Sequence, residues 1–157
     1  MQTFNPRRPA MSKEIVAAAL TKYSEQFSVS PEALDDIRFN YSTDDNGYTL
    51  AKKLEERCGW DIDSEMVVEL EEVRSFVEDA HADAVLAWVA EHDIKASLKV
   101  GQRVRFKHGF ELHEGTIDEL ATSKRDAACY LIVKDGDENH PNKRRSIVKY
   151  ECVELIQ

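Results

Sequence analysis

Apolar residues recur in threes and fours through the first ninety or so positions and then every second position from Leu98 onward. Ile15, Val16, Ala19, Leu20, Tyr23 and Phe27 form one helical face, and Ser12 stands where a cap is needed. Ser30-Pro31-Glu32 reads as a second helix start, a capping serine followed by proline at the first helical position. That helix carries Leu34, Ile37, Arg38 and Tyr41. Asp44 to Gly47 is a turn; a third helix runs through Leu50, Ala51, Leu54 and Cys58 and stops at Gly59. Trp60 is expected to anchor in the core. The fourth and longest helix starts at Asp63 or Ser64, with Glu65 at the positive end of its dipole. Its apolar residues, Met66, Leu70, Val73, Val77, Ala80, Ala84 and Ala87, step by four and three. A second stripe holds Val67, Phe76, Val85, Trp88 and Val89. The pattern predicts the core helix of a four-helix bundle, and its heptad spacing also suits a homodimer through residues 64–92.

Beyond Leu98 the alternation predicts strands. Val100, Val104 and Phe106 interleave with Arg103, Arg105 and Lys107. Residues 114–120, 129–133 and 144–149 continue the pattern, with a turn at Asp135-Gly136. Tyr150-Glu151-Cys152 suits a helical turn before a short closing strand over 153–156. The stretch VGQRVRF…HEGTIDEL…CYLIVKDGD…RRSIVKYECVELI resembles the five-stranded Src-homology-3-like small barrel of Tudor, KOW and related bacterial modules. The resemblance covers about the last 60 residues. It implies a fold that binds nucleic acid, peptides or other protein domains, without choosing among them. The fold class expected is therefore α+β: an acidic helical domain over 12–96, then a small β-barrel over 97–157. The ten residues before Met11 lack periodicity, and Met11-Ser12-Lys13 reads like a second start, so residues 1–11 are expected to be a disordered extension and residues 1–10 to be dispensable.

Charge sharpens this division. Residues 1–96 carry 20 Asp+Glu against 10 Lys+Arg, a net of −10, and residues 97–157 carry 10 against 11, a net of +1. No apolar run approaches membrane-spanning length and no signal-peptide pattern opens the chain, so a cytoplasmic location is expected. Cys58, Cys129 and Cys152 lie far apart without a CxxC pair, which argues against a disulfide framework and for buried thiols.

The common chemistries find no purchase here. There is no phosphate-cradling glycine motif, no HxxxH or HExxH, and no nucleophile beside a base. An EF-hand reading of the loop at Thr43 to Gly47 fails because Lys53 would fall at the twelfth position, where a bidentate Glu is required. His108 and His113 share a loop, but a zinc site there would need a third ligand such as Glu111 or Glu114. Glu65, Glu69, Glu71 and Glu72 on the fourth helix would repel phosphates, which excludes a helix-turn-helix. The expectation is no enzyme, no cofactor and no metal.

Two functions remain. The first is an interaction protein whose acidic face (Glu65, Glu69, Glu71, Glu72, Asp79) meets a basic protein partner. Small acidic proteins of this type are common among phage and mobile-element inhibitors, some of which regulate or block nucleic-acid-processing complexes. The alternative is nucleic-acid binding by the barrel through Arg103, Arg105, Lys107, Lys143, Arg144, Arg145 and Lys149, with Phe106, Phe110 and Tyr130 as stacking faces. No membrane partner is expected.

Overall fold

The computed structural model describes residues 1–140 and 144–156. The fold is α+β. Four helices, α1 (Lys13–Phe27), α2 (Pro31–Asn40), α3 (Gly47–Cys58) and α4 (Ser64–Glu91), precede five strands, β1 (Arg103–His108), β2 (Glu111–Leu120), β3 (Cys129–Lys134), β4 (Arg145–Lys149) and β5 (Val153–Leu155). The chain divides into two compact units, Ala10–Ala84 and Met1–Pro9 with Val85–Gln157. The division falls within α4, not at the expected junction near residue 96.

In the helical unit the starts are those the sequence marks. Ser12 and Ser30 cap α1 and α2 through bonds to Ile15 N and Ala33 N, and Pro31 opens α2. Asn46 and Thr49 form a capping box on α3, and Gly59 ends it in the left-handed region at φ 72°. Asp63 caps α4 by accepting from Met66 N at 2.8 Å. Leu20, Tyr23, Ile37, Leu50, Ala51, Leu54, Leu70 and Val73 make the core. Trp60 packs on its edge and donates from Nε1 to Asp36 at 2.9 Å.

Gly47 shows why α3 sits so close to α4. A Cβ there would lie 2.4 Å from the Val67 carbonyl oxygen and 2.6 Å from Glu71 N, so only glycine permits the approach. The Gly47 N–H donates to Glu71 Oε2 at 2.5 Å.

The buried positions of α4 do not follow the expected heptad. Leu70, Val73 and Val77 are buried, and the next are Ala82, Val85 and Trp88. The five-residue step from Val77 to Ala82 turns the buried line by about 140° at 3.6 residues per turn. Ala80 and Ala84 are left half-buried and Ala87 exposed. Leu70, Val73 and Val77 are filled by intrachain packing, so that stripe is not open to a second copy.

The other unit is built on one antiparallel sheet of order β4-β3-β2-β1-β5. Among the described residues no ladder joins β4 to β5, so the sheet is not closed. A register shift interrupts β2 against β3 between Ile117 and Glu119. Val104, Phe106, Ile117, Tyr130, Ile132, Val148 and Val153 fill the core together with Val85 and Trp88 from the end of α4.

Residues 1–9 are not the loose extension their composition suggests. Phe4 meets the Trp88 ring edge-on at 5.2 Å between centroids, and Trp88 Nε1 donates to the Pro6 carbonyl at 3.0 Å. The Arg8 guanidinium is held by Glu151 at 2.8 Å. The missed signal is physical: single anchoring side chains in an aperiodic segment leave no hydrophobic pattern.

Candidate functional site

On α4, Glu65, Glu69 and Glu72 follow i, i+4, i+7 spacing and share one side of the helix, and all three are exposed. Val68 is three residues from Glu65 and four from Glu72, and at 68% exposure it supplies an apolar centre among these carboxylates. Asp79 continues the line one heptad on, half-buried and engaged in an interaction of its own. Glu71 lies elsewhere. It points round the helix to Gly47 and belongs to the packing of α3 on α4, which removes it from the acidic face. The structural division deepens the charge contrast. Ala10–Ala84 carries 7 Lys+Arg against 18 Asp+Glu, a net of −11; the remainder carries 14 against 12, a net of +2.

The basic candidates lie on the sheet. Arg103, Arg105 and Lys107 alternate with the buried Val104 and Phe106 along β1. The register sets Glu114 of β2 opposite Arg105, and the two pair at 2.8 Å. Arg103 forks onto Asp135, with Nη2 2.6 Å from Oδ2, and holds that carboxyl below the usual carboxylate range. Arg145 reaches Asp118 at 2.6 Å and Glu119 at 3.1 Å. Lys143 lies outside the described residues. Among the described residues, the candidates Lys107, Arg144 and Lys149 are left without an ion pair. Of the expected stacking faces, Phe106 and Tyr130 are sealed in the core, at 1% and 0% exposure, and only Phe110 stands clear at the β1–β2 turn.

The His108 and His113 rings sit 6.3 Å apart. Among the described residues no group of three or more His, Cys, Asp and Glu is placed to hold a metal ion. The cysteines differ from the expectation of three buried thiols: Cys129 is buried, Cys58 half-buried and Cys152 exposed. Burial pushes the Cys129 thiol up.

Two surfaces escaped the sequence reading. A groove of ≈ 840 Å³ on the helical unit is lined by Met11, Val16, Phe39 and Tyr41, and by Lys13 and Arg38 among others. Phe39 is 87% exposed. It falls between the buried Ile37 and Asn40 and follows no stripe, so periodicity does not single it out. The second is the seat of Arg8, whose ligands come from three distant parts of the chain.

Among the described residues no helix is long and apolar enough to cross a membrane. Compared with known proteins, the chain matches no family model, no curated protein and no solved structure.

Proposed function

We propose that the chain is a non-enzymatic interaction protein whose helical unit presents an acidic face to a basic protein partner. The observation that carries this reading is the charge division: a net of −11 on Ala10–Ala84, against a second unit at +2 whose sheet arginines already pair with its own carboxylates. Glu65, Glu69 and Glu72 around the exposed Val68 are the proposed contact. Charge of that density speeds encounter with a basic surface, and an apolar centre gives the encounter something to dehydrate. In this reading the chain regulates or inhibits a nucleic-acid-processing complex by covering a surface meant for phosphates, as some phage and mobile-element inhibitors do. We read the sheet as a Src-homology-3-like small barrel; its strand order and the 3-10 turn Tyr150–Cys152 before β5 support that class.

The test is affinity capture from the native host with the wild-type chain and with the Glu65→Lys/Glu69→Lys/Glu72→Lys variant. A partner held at low salt and lost in the variant supports the reading. Equal capture by both refutes it. Nucleic-acid binding through the sheet is the second reading, favoured by Lys107, Arg144 and the exposed Phe110.

A further inference from the structure

The seat of Arg8 is constructed in more detail than a chain terminus requires. Nε donates to Glu151 Oε1 at 2.8 Å, Nη1 to the Ala127 carbonyl at 2.9 Å and Nη2 to the Ala128 carbonyl at 2.6 Å. The guanidinium carbon stands 5.4 Å from the centroid of the Trp88 ring. Charge-assisted pairing, backbone acceptors and an aromatic face are the three interactions a guanidinium makes best. The side chain is 9% exposed.

Part of the seat is held by contacts that do not involve Arg8. The Ala128 carbonyl also accepts from Tyr150 N at 3.1 Å. Ala128 itself is held at φ 56°, a region a non-glycine residue enters only when its surroundings impose it. Glu151 sits in the 3-10 turn Tyr150–Cys152, and Trp88 is anchored in the core.

The segment that delivers Arg8 fits much less well. Gln2 Oε1 is buried with no hydrogen-bond partner. A cavity of ≈ 370 Å³ lies beside the pair, lined by Met1, Thr3, Phe4, Arg7 and Glu151 among others. Thr3, Asn5, Pro6 and Arg7 are exposed. A well-made seat thus takes its guanidinium from a strap whose other anchors are Phe4 on the Trp88 ring, the Pro6 carbonyl on Trp88 Nε1 and Gln2 on the Lys95 carbonyl.

We propose that the Trp88–Glu151 pocket is an arginine-binding site that Arg8 fills in cis and that an arginine on a protein partner fills in its place. The pocket stands on its own geometry; the identity of its occupant as a partner rests on the protein-partner reading above. Tethering gives Arg8 a high effective concentration, about millimolar for a short flexible link, so a competing arginine prevails only when the partner adds contacts elsewhere.

The test uses the full-length Arg8→Ala chain and a peptide of residues 1–10 carrying a nitroxide at its N-terminus. Binding is read as broadening of the Trp88 indole N–H signal in NMR, with Trp60 as the internal reference. The peptide is expected to saturate the Arg8→Ala chain. An alanine at the peptide's Arg8 position, or Glu151→Gln in the chain, weakens binding by about tenfold or more, the loss expected for a forked charge-assisted contact. Lysine at that peptide position falls between. The wild-type chain needs at least about tenfold more peptide, because Arg8 competes. Equal broadening by the arginine and alanine peptides overturns the proposal. If Arg8→Ala does not fold, the wild-type chain is titrated into the millimolar range, and absence of arginine-dependent broadening there overturns it as well. None of these readouts involves the acidic face, so failure of the pocket and failure of the basic-partner reading are separable.

Discussion

The ammonium of Lys53 lies 2.7 and 2.8 Å from the two carboxylate oxygens of Asp45, which is only 6% exposed. Asp45 also accepts from Ser42 N at 2.8 Å, closing the turn before α3. The loop that invites a calcium reading therefore carries its own cation, delivered from the position where a bidentate Glu would have to stand. Lys53→Met leaves Asp45 with a buried charge and no counter-ion. The expected cost is about 1–3 kcal/mol, between the ranges for exposed and fully buried pairs, because Lys53 keeps some solvent contact. Adding Asp45→Asn to Lys53→Met returns part of the loss. Urea unfolding of the two variants checks both statements, and calcium leaves the wild-type midpoint unmoved.

Gly47 and Glu71 separate packing from partner contact. Gly47→Ala drives a methyl into the Val67 carbonyl and should cost at least about 1–3 kcal/mol, although alanine is the better helix former. Glu71→Gln weakens the charge-assisted bond to the Gly47 N–H and should cost about 1 kcal/mol. Glu65→Gln and Glu72→Gln should stay within about 0.5 kcal/mol, as exposed positions do. Equal stability losses at positions 71 and 72 would show that the Gly47 contact contributes nothing.

How far the sequence carries depends on range. Ser12, Ser30-Pro31 and Gly59 act on their own helix ends, so a reader of local chemistry finds them. Tyr150-Glu151-Cys152 reads as a helical turn for the same reason, and it is one. The acidic line Glu65, Glu69, Glu72 follows from helical spacing alone. Glu71 looks identical in sequence, and only its bond to a residue 24 positions away removes it from that line. The arginines of β1 likewise look free until the register sets Glu114 against Arg105 and the β3–β4 turn brings Asp135 to Arg103. Arg8 is the extreme case, since its partner Glu151 lies 143 positions away.

The N-terminal strap and Trp88 should be felt in stability. Trp88 is 4% exposed and donates to the Pro6 carbonyl. Trp88→Ala should cost about 3–5 kcal/mol, the range for removing a core aromatic. Deleting residues 1–9 removes the Arg8–Glu151 pair and the Phe4 contact, and should lower the midpoint by the equivalent of about 1–3 kcal/mol while unfolding stays cooperative. An unchanged midpoint on truncation would mean that these contacts are not held in solution.

Tyr23 governs part of the alkaline limit. Burial, and then the charges of Glu69 and Glu72, push its hydroxyl up to about 12. An unfolded tyrosine ionises near 10, roughly two units lower. The stability gained from keeping Tyr23 neutral is therefore intact below about pH 10 and is lost as pH rises towards 12. Tyr23→Phe should flatten that decline by about 1–3 kcal/mol, while losing about 1 kcal/mol at neutral pH with the bond to the Glu69 carbonyl. Denaturant unfolding from pH 8 to 12 decides the matter, and parallel curves for wild type and variant would assign the limit to other groups.

Nucleic-acid binding by the intact chain should be weak and only mildly salt-dependent. Arg103, Arg105 and Arg145 already face Asp135, Glu114, Asp118 and Glu119. A phosphate would have to displace those carboxylates, and the exchange releases little, because one anion replaces another. Of the candidate cations, Lys107, Arg144 and Lys149 have no ion pair among the described residues and remain to neutralise phosphate. Each neutralised phosphate contributes a slope of about −0.9 on a log–log salt plot, so three contacts give about −2.7, against about −5.4 if all six described candidate cations were engaged. The helical unit at −11 opposes binding further at low ionic strength, where screening is poor. The measurement is a titration of labelled DNA and RNA at several salt concentrations, with the wild type, Lys107→Glu/Arg144→Glu/Lys149→Glu and Arg103→Glu/Arg105→Glu. The first variant should abolish what binding there is, and the second should change it little beyond its added charge. A slope near −5.4, at about −0.9 per phosphate, with submicromolar affinity at physiological salt, lost in Arg103→Glu/Arg105→Glu, would mean that the ion pairs open on binding and would put the sheet ahead of the acidic face as the working surface.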